Sequence, residues 1–561
     1  MSSAGLRTVC KKKHFTKMSK NGIIAVKRDM LRSFYRFFTL YSVQEVRNKF
    51  CVRFMQNKSL TADKENIMRS CGVLMHITSL PSPYGIGTFG EQAEKFVDWL
   101  ISAGQEYWQV LPIGPTGFGD SPYQSFSTFA GNPLLIDLDD LVRSGLITQQ
   151  ACEEADYGAD PSFVDFEKVN RTKMALLRQA YESFEENVGF LAFVQNEADW
   201  LEDYALFMAI KEENDLVSWL EWNDDLRLRR PDAIEEAKER LKKQSGFWKF
   251  VQYIFYTQWE RLKGYANKNG IKIIGDIPIY VSPDSSDIWA NTDYYEVDPD
   301  KRPKRVAGVP PDYFSATGQL WGNPLYDWNA MKKDGYEWWI KRIAKATKLY
   351  DIVRIDHFRA FDTYWAIPAG EPTAINGKWE QGPGMDLWNA VKDKLGAAPI
   401  IAEDLGDIFD SVKELLKASG FPGMRVLQFG FNPNSEDNDH LPHRYPANSV
   451  CYTGTHDNST ALGWYKAADS ATQAMCRKYL KPRLFEKINR TMIRELYKST
   501  CELAIVPMQD VIGLDDNARM NIPSTLGGNW KWRSQKKHFT EKNAAFLKDL
   551  AETYYRTAKK S

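Results

Sequence analysis

The sequence lacks the features that would place it in a membrane or among disulfide-stabilised secreted proteins. Its 561 residues contain no uninterrupted apolar run of the ~18 residues that a membrane-spanning helix needs. Its seven cysteines are scattered without a CxxC pair. This pattern predicts neither disulfides nor a cysteine metal site and suits a reducing compartment. We therefore expect a soluble protein with no membrane partner.

Motifs of several common enzyme classes are also missing. The chain has no GxxxxGK[ST] phosphate loop, no GxSxG turn and no GxGxxG following a predicted strand, which disfavours nucleotide and serine-hydrolase chemistry. His440 and His443 have HxxH spacing, but Pro442 disfavours the helix that would bring both imidazoles to one metal ion. We expect a loop there, which contacts substrate or closes the fold, and no metal site.

Positive charge is concentrated at the N-terminus. The 73 basic and 73 acidic side chains balance, yet the first 70 residues hold 16 Lys/Arg against 4 Asp/Glu. The remaining 491 residues carry 57 basic and 69 acidic side chains. This acidic balance disfavours a basic surface that would bind nucleic acid. Residues 1–65 are basic and acid-poor like an organelle transit segment, which makes the protein a candidate for import into an organelle such as a plastid. A disordered basic tail on a cytoplasmic protein is the alternative interpretation.

Eight short apolar or β-branched runs follow this leader, and several are separated by amphipathic segments. They predict a parallel (β/α)8 barrel over residues 66–561, with a doubly wound open sheet as the structural rival. Polar and acidic residues cluster just after the runs, which favours the barrel because its active sites lie there. The runs are Gly72–Leu80, Tyr107–Ile113, Ile271–Val281, Asp351–Phe358, Pro399–Leu405, Val426–Phe429, Val450–His456 and Leu503–Met508.

Two intervals are too long to be simple connections between strands. Residues 138–250 are rich in Glu, Lys, Leu and Trp at helical spacing, which predicts a largely helical lobe inserted after the second run. Residues 282–327 are dense in Pro, Gly, Asp, Tyr and Trp. This composition predicts long loops at the barrel mouth that cover the substrate.

Three of the runs carry a carboxylate near or just beyond their end, and sugar-bond chemistry needs two or three such acids together. Arg354 and Asp356 lie two apart on a predicted strand and share a face, so the guanidinium favours the charged carboxylate expected of a nucleophile. Glu403 shares a face with apolar Ile401, which favours the protonated form of a general acid. Asp457, beside His456, is predicted to stabilise the transition state. The three acids predict an enzyme acting on glycosidic bonds.

Each of these acids taken alone has a simpler interpretation, because an acid after a strand is often a helix N-cap. Their combination favours a shared site. Asp276, in Gly275–Pro278, either belongs to that site or holds the barrel rim together. Aromatic side chains in polar, glycine-rich loops are predicted to stack on sugar rings: Tyr123, Tyr313, Phe314 and Trp321.

Ordered motifs from Gly72 to Arg533 resemble the 4-α-glucanotransferases called amylomaltases or disproportionating enzymes, glycoside hydrolase family 77 of the α-amylase superfamily. These motifs include Gly119–Ser125, Gly275–Tyr280, Val309–Phe314, Arg354–Arg359, Ala402–Gly406, Gly454–Asn458 and Asn529–Arg533.

The resemblance implies transfer of α-1,4-glucan segments by a retaining double displacement, with neither metal nor organic cofactor. It places Asp356, Glu403 and Asp457 at the nucleophile, acid/base and stabiliser positions. It places Tyr123, Asp276, Arg354 and His456 around the reacting sugar and Asp312–Phe314 over the groove.

Three positions depart from the family pattern: Ala316 stands where Glu is usual, Ala360 where Gly is usual and Ser459 where Asp is common. These departures bear on loop behaviour and chain-length preference. A retaining α-1,4-glucan hydrolase is the alternative activity, and it differs only in using water as acceptor. A non-catalytic glucan-binding barrel would be marked by a lost acid, whereas all three acids are present.

Overall fold

The computed structural model describes residues 69–311, 315–406, 408–433, 438–525 and 527–557. The predicted leader, residues 1–65, and the predicted site residues Asp312, Tyr313 and Phe314 lie outside the described residues. The described strands are β1 (Ser70–Leu74), β2 (Tyr107–Gln109), β3 (Lys272–Pro278), β4 (Arg305–Val309), β5 (Gln319–Pro324), β6 (Ile352–Asp356), β7 (Thr363–Pro368), β8 (Lys378–Gln381), β9 (Ile400–Ala402), β10 (Gly423–Val426), β11 (Ser449–Tyr452) and β12 (Leu503–Pro507).

Eight of these strands form a parallel barrel in the order β10-β11-β12-β1-β2-β3-β6-β9. The strands at the two ends of this order are joined where Ala402 N–H donates to the Pro422 carbonyl at 2.9 Å. The predicted barrel is therefore confirmed, and the open doubly wound sheet is wrong. Most barrel residues are buried, as expected for parallel strands covered on both faces.

The barrel strands occur at the predicted runs, with one displacement. The sixth is β10, which begins at Gly423, whereas the apolar run predicted it from Val426. Residues Leu427–Gly430 instead form a 3₁₀ turn. Pro422 and Gly423 have low strand propensity, which hides the true start of this strand in the sequence.

Helices occupy most of the long interval between β2 and β3. The last of them, Lys242–Lys268, continues past residue 250, so the predicted boundary of the lobe falls inside a helix. The helices of this interval are Leu138–Arg143, Gln149–Glu153, Phe166–Glu182, Val188–Asn196, Ala198–Glu213, Asp224–Arg227, Pro231–Arg240 and Lys242–Lys268. The others are Glu91–Ser102, Ser286–Ala290, Trp328–Lys333, Glu337–Leu349, Met385–Leu395, Asp410–Ser419, Ala461–Ala467, Ser470–Leu480, Ile488–Lys498, Met508–Ile512 and Glu541–Thr553.

A second, antiparallel sheet with strand order β5-β4-β7-β8 is built from segments flanking β6. It has a small core of its own, formed by Val306, Ile367 and Ala374 with Trp365 packed against it. Two of its strands, β4 and β5, belong to the interval predicted as long loops. No helix among the described residues is long and apolar enough to cross a membrane.

Candidate active site

Arg354 joins two of the predicted site acids at the carboxyl ends of neighbouring strands. It lies opposite Asp276 in the β3–β6 pair, and Asp356 ends β6. Arg354 donates from Nη1 to Asp276 Oδ2 at 2.6 Å and from Nη2 to Asp356 Oδ1 at 2.9 Å. The guanidinium is buried, while the Asp356 side chain remains 29% exposed. One cation thus fixes two carboxylates and leaves Asp356 accessible.

Asp276 is almost fully buried behind Asp356. Burial raises the pKa of Asp276 and the Asp356 charge adds to this, while the Arg354 guanidinium lowers it. Tyr123 also donates from its hydroxyl to Asp276 Oδ2 at 2.9 Å. Two donors therefore converge on one oxygen, which orients the carboxylate.

Glu403 follows β9 directly and is held by backbone groups. His357 N–H donates to Glu403 Oε2 at 2.7 Å, and Leu405 N–H donates to Oε1 at 3.0 Å. His357 adopts the left-handed conformation with φ of 54°, a strained geometry for a non-glycine residue that turns its N–H toward the acid.

Glu403 is suited to hold a proton near neutral pH. Burial, followed by the negative charge of Asp356, raises the pKa of Glu403 to about 8. The direction agrees with the sequence-based argument, but the cause is wider than apolar Ile401, because the Asp356 charge also contributes. Its protonation therefore depends on the state of its neighbour.

Asp457 lies in the segment that follows β11, and the chain after β12 holds it. Asn521 donates from Nδ2 to Asp457 Oδ1 at 2.6 Å, and Arg519 donates from Nη2 to the Asp457 carbonyl at 2.6 Å. His456 Nε2 lies 3.4 Å from Asp457 Oδ1. The Asp457 side chain is 46% exposed, so it is oriented but open to a ligand.

An aromatic group backs this segment. The Tyr123 and His456 rings stack with centroids 5.0 Å apart, and Tyr123 Oη lies 3.4 Å from His456 Nδ1. Trp530 packs against both rings, at 5.9 and 5.8 Å. This packing fixes the imidazole beside Asp457.

An open groove of about 780 Å³ runs past these side chains. Its lining includes Tyr123, Trp321, Asp356, His456 and Asp457. The Trp321 ring contacts the His357 ring edge-on, with centroids 4.8 Å apart. The groove is large enough for several sugar units, the apolar faces of which aromatic rings bind well.

Eight of the predicted site residues thus gather at one end of the barrel: Tyr123, Asp276, Trp321, Arg354, Asp356, Glu403, His456 and Asp457. Sequence reasoning missed Arg519, Asn521, Trp530 and His357 as contacts of these residues. Trp530 belongs to a motif noted in the sequence, whereas no local signal identifies Asn521.

The HxxH pair has two separate sets of partners. Val426 N–H donates to His440 Nδ1 at 3.1 Å, whereas His443 Nδ1 lies 2.9 Å from the Tyr479 hydroxyl. Within the described ranges, no group of three His, Cys, Asp or Glu side chains is placed to hold a metal ion.

Ser459, which stands where the resembled family commonly has Asp, contacts Arg519. Arg519 donates from Nη1 to Ser459 Oγ at 3.0 Å, while its Nη2 holds the Asp457 carbonyl. An aspartate at position 459 would place a negatively charged carboxylate beside the Arg519 guanidinium. This chain has a neutral hydroxyl there.

Comparison with known proteins gives consistent matches over almost the whole described body. A family model described as 4-alpha-glucanotransferase matches residues 75–538. A 4-alpha-glucanotransferase of Streptococcus pneumoniae is 51% identical over 494 residues, covering 87% of this chain and 97% of that protein. A potato (Solanum tuberosum) protein named 4-alpha-glucanotransferase, chloroplastic/amyloplastic, is 43% identical over 505 residues, covering 88% and 87%.

A solved structure is similar in both sequence and fold. The amylomaltase of Streptococcus agalactiae in complex with acarbose superposes with a TM-score of 0.86 at 43% identity, covering 87% of this chain and 100% of that one. The amylomaltase of Corynebacterium glutamicum, at 18% identity and a TM-score of 0.68, shares the fold.

Proposed function

The chain belongs to the 4-alpha-glucanotransferase family and is an enzyme that transfers segments of α-1,4-glucans; from this premise we propose that Asp356, Glu403 and Asp457 carry the reaction. One observation carries the assignment. The accessible carboxylate of Asp356 is fixed by Arg354, and burial together with the Asp356 charge raises the pKa of Glu403. A nucleophile and a proton donor are what a retaining displacement needs.

In the first step, an Asp356 oxygen attacks the anomeric carbon of the donor glucan. The glycosidic bond breaks, and Glu403 gives its proton to the leaving oxygen, so that the released chain departs with a free 4-hydroxyl. Asp457 and His456 hold the hydroxyls of the distorted sugar while positive charge develops on the ring. The product is a glycosyl ester of Asp356 with an ionised Glu403.

The second step uses the same residues in reverse. Esterification removes the negative charge of Asp356, which is the second cause that raises the pKa of Glu403. The pKa of Glu403 therefore falls in the intermediate, which suits its change from acid to base. Glu403 takes the proton of an acceptor 4-hydroxyl, the acceptor oxygen attacks the anomeric carbon, and Asp356 leaves.

The remaining predicted residues are proposed to bind the donor chain. Tyr123 and Trp321 line the groove and present aromatic faces to sugar rings. Asp312, Tyr313 and Phe314 are proposed to cover the bound chain as part of the 282–327 segment. Arg354 and Asp276 would fix the nucleophile rather than react.

Maltotriose is the substrate that tests the proposal. Transfer converts it into glucose and a ladder of longer maltodextrins without a net gain in reducing ends. A steady rise in reducing ends without longer products would instead support the retaining hydrolase. Because water and a sugar hydroxyl compete for the same intermediate, both products are measured in one reaction.

We further propose that residues 1–65 direct the protein to a plastid. Their basic, acid-poor composition supports this, as does the chloroplastic/amyloplastic name of the potato relative. Fused to a fluorescent protein, residues 1–65 should carry it into plastids of plant cells. A diffuse cytoplasmic signal would contradict the proposal.

A further inference from the structure

An aromatic patch lies on the segments that directly follow the two proposed reacting acids. Arg359 is three residues beyond Asp356, and Phe409 is six residues beyond Glu403. Since a chain advances at most ~3.6 Å per residue, their backbones lie within ~11 and ~22 Å of those of the acids. Trp379 on β8 completes the patch.

The patch is rigid. The Arg359 guanidinium lies 4.1 Å from the centre of the Trp379 ring and 4.7 Å from that of Phe409. These two rings meet edge-to-face with centroids 5.1 Å apart, and Trp379 makes a similar contact with Trp365 at 5.1 Å. Ring pairs and cation–π contacts of this geometry hold the rings in place.

The patch is nevertheless open to solvent. Phe409 is 40% exposed, and Trp365 and Trp379 are half-buried, while Arg359 beneath them is buried. A large side chain that is exposed while its neighbours hold it in place is positioned to contact a ligand. The patch is also connected to Glu403 through the backbone. The 3₁₀ turn that carries Arg359 directly follows His357, and the His357 N–H donates to Glu403.

Two parts of the substrate need separate binding surfaces on the enzyme. The groove is lined by Tyr123, Asp356 and Asp457, which the proposed mechanism places around the sugar that becomes attached to Asp356. The chain protonated by Glu403, and later the acceptor, must lie on the other side of the cleaved bond. Neither Trp379 nor Phe409 is among the residues that line that groove, so the patch is available to the chain on the other side.

We infer that Trp379 and Phe409, supported by Arg359, form a stacking site for the acceptor glucan beyond the sugar that receives the transferred chain. The inference rests on the proposed transfer function. A glucose acceptor fills only the position beside Glu403 and does not reach the patch. A maltotriose acceptor extends away from Glu403, and its apolar ring faces stack on the two aromatic rings.

Two labelled acceptors test the site with amylose as unlabelled donor. In Phe409→Ala the apparent KM for labelled maltotriose should rise about 3- to 10-fold, the size of one lost aromatic contact. The KM for labelled glucose should stay within twofold. Trp379→Leu should likewise raise the KM for maltotriose and leave the KM for glucose within twofold. Trp379→Phe, which keeps a ring, should retain much of the maltotriose affinity.

Phe485→Ala is the matched control, because Phe485 is 94% exposed in the turn between helices Ser470–Leu480 and Ile488–Lys498. It should change neither acceptor. Equal losses for both acceptors, or no change in Phe409→Ala and Trp379→Leu, would overturn the acceptor site and leave the transfer activity standing. Failure of the unmodified enzyme to incorporate either label would overturn the proposed function and this inference together.

Discussion

Asp356 and Glu403 are carboxylic acids at the ends of neighbouring strands, yet their surroundings differ in kind. Asp356 is partly exposed and paired with a guanidinium. Glu403 is buried, accepts two backbone hydrogen bonds and has a pKa raised to about 8. The difference shows how one type of side chain can supply both a nucleophile and a proton donor at one pH.

The largest expected effect comes from removing the nucleophile. Asp356→Asn keeps the shape of the side chain but cannot form the glycosyl ester, so transfer should fall by about 10⁴-fold or more. Binding of maltoheptaose, measured by calorimetry, should persist. Asp549→Asn, an exposed change on helix Glu541–Thr553, is the control for the substitution itself. Undiminished turnover in Asp356→Asn would refute the nucleophile assignment.

Removing the proton donor should have the next largest effect, and it should depend on the leaving group. Glu403→Gln should slow transfer from amylose by roughly 10²- to 10⁴-fold, as expected for loss of general acid–base catalysis. A maltosyl fluoride donor needs no protonation, so the initial fluoride release should be largely restored. Equal defects with amylose and the fluoride would contradict the acid role.

The proton on Glu403 should also govern the pH profile. A pKa of about 8 means that Glu403 is protonated below pH 8 and loses its proton above it. Donor kcat/KM should therefore fall about tenfold for each pH unit beyond this point. Because the Asp356 charge helps to raise the pKa of Glu403, Asp356→Asn should lower it, as measured by carbon NMR of labelled glutamate. An unchanged Glu403 pKa in that variant would break the proposed coupling.

The contrast between the acids was partly predictable because much of it is local. Arg354 and Asp356 lie two apart on a strand, so their ion pair follows from strand geometry. The burial of Glu403 follows from its place after a fully buried strand. The barrel was predictable for the same reason, since its short apolar runs recur in order.

Contacts between distant segments were not predictable. Asn521 reaches Asp457 across 64 positions of the sequence, and no periodicity links them. His357 needs a left-handed backbone to hold Glu403, although its residue type does not demand one. The start of β10 at Gly423 is set by pairing with β11, which overrides weak local strand propensity.

The smallest expected effect concerns the hydroxyl that orients Asp276 behind the nucleophile. Tyr123→Phe removes the donor to Asp276 Oδ2 but keeps the ring that stacks on His456. Arg354 still holds both carboxylates, so kcat should fall only about tenfold. This is less than the effect of losing a hydrogen bond to a charged group that has no other donor. KM should change little if the ring, rather than the hydroxyl, contacts substrate.

Tyr204→Phe is the control for this change, because the buried Tyr204 hydroxyl has no hydrogen-bond partner among the described residues. Its loss should leave kcat and KM unaltered. A raised KM with unchanged kcat in Tyr123→Phe would mean that the hydroxyl binds sugar directly. In that case Arg354 alone would suffice to hold Asp276 and Asp356. The different protonation of Asp356 and Glu403 would then depend on this one guanidinium.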